Sequence, residues 1–213
     1  MVIHELFVKK QGIILERGVN SVSFFHKLDV KMFMMINGAG PEWLDHVMLF
    51  LTARSLWLVI GLVFFFLALV RRKRQWLAMF LFLGLTAGIS DFVTFKVLKP
   101  GFDRERPCHQ LAEVDLIASR CGGPHSFPSN HAANGMAVAV GMILLVGWRK
   151  GGWMIPVALI VGYTRVYLGV HFPFDILFGF VCGAAYAFAT WWLIWKHSAE
   201  WVDAQLARLP GFG

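Results

Sequence analysis

Three short stretches of this chain concentrate side chains suited to handling a phosphoryl group. The first is Lys99-Pro-Gly-Phe-Asp-Arg-Glu-Arg106-Pro107. Lys99 and Arg106 are permanent cations, and the planar arginine fork can grip two phosphoryl oxygens at once. Taken alone, the stretch reads equally well as a solvated basic loop snorkelling at a membrane surface. The second is Phe127-Pro128-Ser129-Asn130-His131. Ser129 is a good N-cap, and the helical turn after it would offer free backbone N–H groups, including that of Asn130, to an anion. His131 in that turn could protonate a leaving oxygen. An ordinary cap beside a surface histidine is the alternative. The third is Thr164-Arg165 followed by His171-Phe-Pro-Phe-Asp175. His171 and Asp175 are spaced to share one helix face, and Pro173 suits the first turn of that helix. A carboxylate bonded to one imidazole nitrogen fixes the tautomer and leaves the other nitrogen as an attacking lone pair. Arg165 interrupts an apolar run, where a charge is costly and is usually paired or functional.

The elements that must position these groups are membrane helices. Of 213 residues, 57% are hydrophobic and only 15% charged, against about a quarter charged in soluble domains. A spanning helix needs about 20 apolar residues. Five segments qualify, at roughly Leu44–Val70, Gln75–Leu98, Ser129–Trp148, Trp153–Leu168 and Pro173–Trp195. The fold expected is therefore an all-α integral membrane protein, a bundle of five to six transmembrane helices. Residues 1–43 are expected to form an N-terminal amphipathic segment lying in the interface, residues 44–198 the transmembrane domain, and residues 199–213 a cytoplasmic tail. No cleavable signal peptide is expected, because the first twenty residues are broken by charges.

The net charge of +7 does not indicate nucleic acid. The basic residues cluster between apolar runs, at Arg71–Arg74, Arg149–Lys150 and Lys196, all on one side if the helices alternate. That side should be cytoplasmic. All three chemical stretches then fall on the outer side, whereas Lys27 and Lys31 of the N-terminal segment sit there against the trend.

The order Lys-x6-Arg-Pro, Pro-Ser-x-His, Arg-x5-His-x3-Asp resembles the three-part signature of the type-2 phosphatidic acid phosphatase superfamily, over residues 99–175. That superfamily also contains vanadium haloperoxidases and bacterial undecaprenyl diphosphate phosphatases. The flanking apolar segments are similar to its membrane branch. The resemblance implies a phosphatase working without metal or cofactor, with His171 as nucleophile, Asp175 orienting it and His131 protonating the leaving group. Lys99, Arg106, Ser129, Asn130 and Arg165 would hold the phosphoryl oxygens. It implies a phosphohistidine intermediate and a lipid substrate, with undecaprenyl diphosphate the first expectation. Phosphatidic acid, phosphatidylglycerol phosphate and lipid A phosphates are the others. The expected setting is the bacterial inner membrane, multi-pass, with the site facing the periplasm or exterior. The sequence departs from the family pattern at Asn130, where glycine is usual, and at Thr164, where serine is usual.

Outside the signature, Cys108 and Cys121 share the long outer loop and are expected to pair, free thiols being the alternative. Asp91 lies in an apolar run and is expected to pair with Arg54 or to support Arg165. Lys96 reads as snorkelling, and His109, Asp103, Glu105, Glu113 and Asp115 as solvated loop groups. No Cys/His cluster has zinc spacing.

Overall fold

The computed structural model describes residues 24–195. The whole of the expected C-terminal tail, 199–213, and the first half of the N-terminal segment lie outside those residues. The described elements are α-helices joined by loops. They are α1 (24–36), α2 (Glu42–Thr52), α3 (Arg54–Val70), α4 (Arg74–Val93), α5 (Lys99–Phe102), α6 (Pro107–Gln110), α7 (Asn130–Val146), α8 (Trp148–Gly151), α9 (Met154–Tyr167) and α10 (Pro173–Thr190).

The chain is a helical membrane bundle. α4 runs on through a π-helical turn, Thr94–Leu98, and then α5 as one apolar helix, Arg74–Phe102. The widened turn precedes Pro100, whose ring would clash with a carbonyl in an unbroken α-helix. α10 continues likewise to Ile194. These two are long and apolar enough to cross a bilayer, and α7 and α9 are shorter apolar helices.

The run Leu44–Val70, expected as one span, is broken. α2 and α3 meet at Ala53 with a bend of 47°. Ala53 takes an extended backbone conformation, and the Trp57 indole N–H donates to the Leu51 carbonyl at 2.9 Å. That bond satisfies an acceptor at the end of α2, where the helix leaves its last carbonyls without partners. Neither proline nor glycine marks the break, so hydropathy alone reads straight through it.

α7 is the central helix, packed against α4, α9 and α10. Its approach to α10 is close because small residues face it. A Cβ on Gly183 would strike the Ala133 carbonyl, and one on Gly179 would come within 2.8 Å of the Ser129 carbonyl. Small residues at such crossings let backbones touch in lipid, where dispersion replaces the hydrophobic effect. The contact also joins the second and third motifs, since the Ser129 N–H donates to the Asp175 carbonyl at 3.0 Å. Phe33, Ala132, Val166, Phe172 and Ile176 form the buried core beneath this end. Helix α1 therefore packs into the bundle through Phe33, while its Phe24, Phe25, Met34 and Met35 are exposed.

Candidate active site

The three motifs meet at one end of the bundle. Lys99 is buried at the end of the long α4–α5 helix, and its Nζ donates to the His125 and Ser126 carbonyls at 2.9 and 3.0 Å. That leaves one ammonium donor for another acceptor. Arg106, in the following loop, donates from Nε to the Gly123 carbonyl at 2.6 Å and from Nη1 to the Val170 carbonyl at 2.9 Å. Ser129 caps α7, its Oγ accepting from the Ala132 N–H at 3.5 Å. The N–H groups of Asn130 and His131 lie in the same first turn, ahead of the intrahelical ladder. Arg165 donates from Nη1 to the Thr52 hydroxyl at 3.0 Å. Its buried Nε has no hydrogen-bond partner among the described residues. Such a donor costs about 1–3 kcal/mol unless something accepts from it, and an incoming oxyanion would. His131 is within electrostatic reach of Arg165, His171, Arg54 and Arg106.

His171 sits in the α9–α10 link, 2% exposed. Its Nδ1 lies 3.3 Å from Asp175 Oδ2, and its Nε2 lies 3.1 Å from Arg106 Nη1. A guanidinium has donors only. Nε2 must therefore present its lone pair to Arg106, and the proton must sit on Nδ1, facing the carboxylate. Burial, reinforced by the charges of Arg106, Lys99 and Arg165, holds the imidazole well below the ordinary histidine range. The ring is thus neutral at neutral pH, with an unprotonated nitrogen aimed at a cluster of cations. Asp175 is fully buried at the third position of α10, where Oδ2 also accepts the Phe172 N–H at 2.9 Å.

The structure assigns Asn130 differently from its neighbours. Its side-chain amide turns away, donating to Asp91 Oδ1 at 2.9 Å, as does Asn134 at 3.1 Å. Only its backbone N–H is left for a phosphate. Asp91 bonds these amides, in place of the arginines expected from sequence. Cys108 and Cys121 are disulfide-bonded, their Cα atoms 6.0 Å apart. The bridge anchors Cys121, which directly precedes the segment of Gly123, His125 and Ser126 whose carbonyls hold Arg106 and Lys99. His125 Nδ1 pairs with Asp103 at 2.9 Å, and its backbone carbonyl holds Lys99.

Three residues near the site, Arg104, Asp29 and Thr52, escaped sequence reasoning, and Arg54 was expected only as a partner of Asp91. Arg104 donates to Asp175 Oδ1 at 2.7 Å and to Asp29 Oδ2 at 2.6 Å. Thr52 and Arg54 flank the α2–α3 break; the Thr52 hydroxyl accepts from Arg165, and the charge of Arg54 acts on His131 at longer range. For Arg104, its place two residues before Arg106 was a usable signal. For the others there was none, since each is reached by long-range packing.

Among proteins of known name, the chain is 28% identical over 172 residues to the lipid A 4'-phosphatase of Bacteroides thetaiotaomicron, covering 76% of this chain and 75% of that one. It is 27% identical over 169 residues to the undecaprenyl-diphosphatase of Sulfolobus acidocaldarius, covering 75% of each. The crystal structure of the first transmembrane PAP2 type phosphatidylglycerolphosphate phosphatase from Bacillus subtilis superposes with a TM-score of 0.56 at 27% identity, covering 80% of this chain and 85% of that one. The profile of the PAP2 superfamily matches residues 75–199, a stretch that includes every signature residue. With a multi-pass helical bundle and the three signature stretches gathered at one end, the chain belongs to the PAP2 superfamily and is a membrane lipid phosphatase, a phosphoric ester hydrolase.

Proposed function

We propose that the chain removes a terminal phosphate from a lipid phosphate or diphosphate at the outer face of the bacterial inner membrane, through a phosphohistidine on His171. The observation that carries this reading is the His171 tautomer: Nδ1 faces Asp175 Oδ2 at 3.3 Å and the Nε2 lone pair faces Arg106 at 3.1 Å. An arriving phosphoryl group takes the place opposite Nε2. Its oxygens are met by Arg106, the open Nε of Arg165, the remaining Lys99 donor and the N–H groups at the start of α7. These cations neutralise charge on the equatorial oxygens.

Nε2 attacks phosphorus as the bond to the leaving oxygen breaks. The electron pair of that bond goes to the leaving oxygen, which takes a proton from His131. Asp175 stabilises the positive charge that develops on the His171 ring. In the second half, His131 accepts a proton from water, the water oxygen bonds to phosphorus, the P–N bond breaks and inorganic phosphate leaves. The site lies at the ends of spans, so lipid tails can stay in the bilayer while the headgroup reaches His171. The basic connections at Arg71–Arg74 and Arg149–Lys150 belong to the opposite end, which supports an outward-facing site.

Undecaprenyl diphosphate is the substrate we favour, because an outward site in a small single-domain bundle suits a diphosphate attached directly to a membrane chain. Phosphate release should be measured in detergent across undecaprenyl diphosphate, lipid A, phosphatidic acid and phosphatidylglycerol phosphate. The highest kcat/KM is expected for undecaprenyl diphosphate. A lead of tenfold or more for another lipid overturns that choice. His171→Ala should abolish release on every substrate, and activity within a few-fold of wild type would defeat the nucleophile assignment.

A further inference from the structure

Asp29 belongs to none of the three motifs and lies 145 residues before Phe174, yet it is completely buried against the start of α10. Its two oxygens are divided between two tasks. Oδ1 accepts the Phe174 N–H at 2.9 Å. Phe174 is the second residue of α10, a position whose N–H is normally satisfied by the side chain of the N-cap. The N-cap here is Phe172, whose ring offers no acceptor, so Asp29 caps α10 from another helix. Oδ2 accepts from Arg104 Nη2, and the other arm of the same guanidinium donates to Asp175 Oδ1. Arg104 Cζ lies 4.3 Å from the centroid of the Phe172 ring, which restricts the guanidinium further. Asp29, Arg104, Asp175 and His171 thus form one continuous chain of charge-assisted contacts.

We propose that Asp29 is a positioning residue for the hydrolysis, acting through Arg104 to hold Asp175, and through Asp175 the His171 ring, in the attacking orientation. The inference rests on His171 being the nucleophile. A guanidinium pinned at one arm presents the other in a fixed direction, because its donors lie in one rigid plane. Arg104 held only by Asp175 could swing with it. The chain also carries two carboxylates for one cation, which leaves a negative balance beside the cationic cluster of Lys99, Arg106 and Arg165. Helix α1 therefore supplies part of the catalytic support.

Asp29→Asn separates this role from capping. An amide oxygen still accepts the Phe174 N–H, but the amide NH2 cannot accept from Arg104. Asp29→Asn, Arg104→Gln and the double variant should be compared with wild type in detergent, with undecaprenyl diphosphate as probe. Asp29→Asn should lower kcat about 10–100-fold, as loss of supporting partners does around other sites, with KM within about threefold. The double variant should be no worse than Arg104→Gln alone, to within about twofold, because the two residues act in series. A kcat within twofold of wild type for Asp29→Asn, or penalties that multiply, overturns the proposal. If Asp29→Asn does not fold, Arg104→Lys replaces it: the charge stays, the fork is lost, and an unchanged kcat there overturns the proposal as well. His171→Ala run alongside keeps the two claims apart. Release surviving in that variant sinks the nucleophile, whereas an inactive His171→Ala beside a fully active Asp29→Asn sinks only the role of Asp29.

Discussion

Both ends of the bundle carry charged residues and use them in opposite ways. At the far end, Arg71, Arg72 and Lys73 in the α3–α4 turn and Arg149 and Lys150 in the short helix α8 are exposed. At the site end, Lys99, Asp29 and Asp175 are buried, and every one is held by named backbone or side-chain partners. Charge in an exposed turn contributes little beyond orientation in the membrane. Charge taken out of water is expensive unless it is paired, and a pair broken from one side costs several kcal/mol. The site end retains that cost, and among the described residues it also leaves the Arg165 Nε without an acceptor. Such an arrangement has a use only if an anion arrives. The comparison therefore predicts that equal chemical changes at the two ends have very unequal consequences.

The largest effect is expected at Arg165. Arg165→Ala removes a half-buried cation and its buried orphan donor together, and kcat/KM should fall by about 10³-fold, the scale of losing a preorganised oxyanion donor. Arg165→Lys should recover only part of this, since a point charge cannot reproduce the fork. Next comes Gly183→Val. Its side chain would meet the Ala133 backbone and force α7 from α10, separating Ser129 from Asp175. Overpacking of this kind typically costs about 1–3 kcal/mol. Lower thermal stability and a loss of activity at temperatures where the protein is still folded should appear together. Stability loss without activity loss would show that the α7–α10 crossing does not set the site. Cys108→Ala with Cys121→Ala follows. The bridge closes a 13-residue separation, worth about 3 kcal/mol, and melting should drop accordingly, with KM rising because Arg106 and Lys99 lose the ordered loop carbonyls.

Much of the site end was legible in the sequence because its signals are local. His171 and Asp175 are four residues apart, Ser129 directly precedes a helix, and Lys99 and Arg106 bracket the end of a span. Periodicity and spacing carry such information. The apolar helices α4 and α10 were legible for the same reason. What could not be read depends on contacts between distant segments. Nothing near Ala53 signals the bend that brings Thr52 to Arg165. Asp29 carries no local signal, because its partners are 75 and 145 residues away. Asp91 was assigned to arginines by charge alone, whereas packing places it against two asparagines on α7.

The acid response sharpens the comparison further, with a smaller effect. Burial and neighbouring cations depress the proton affinity of His171 in the fold. Below the ordinary histidine pKa of about 6.5, the unfolded chain takes up a proton that the native state refuses, so stability falls as pH drops through that range and is flat above it for this group. The slope cannot exceed about 1.4 kcal/mol per pH unit from one site. Melting of wild type between pH 8 and 5 should therefore decline more steeply than melting of His171→Ala. Equal slopes would show that the ring is not held neutral. Meanwhile kcat/KM should not collapse at pH 6.5, because the free enzyme keeps its Nε2 lone pair there.

The smallest effect is expected at the far end, and it tests the comparison most directly. Arg149→Gln with Lys150→Gln removes two charges, as many as Lys99 and Arg106 provide at the site. These charges are exposed, and exposed substitutions of this kind usually shift stability by no more than about 0.5 kcal/mol. In detergent, kcat/KM should stay within about twofold of wild type. In cells the same variant should alter the share of chains inserted with the correct orientation, measured by cysteine accessibility, since basic turns act on topology. A loss of more than about fivefold in detergent would mean that charge at the far end reaches the chemistry through the bundle. The division of labour between the two ends would then be wrong.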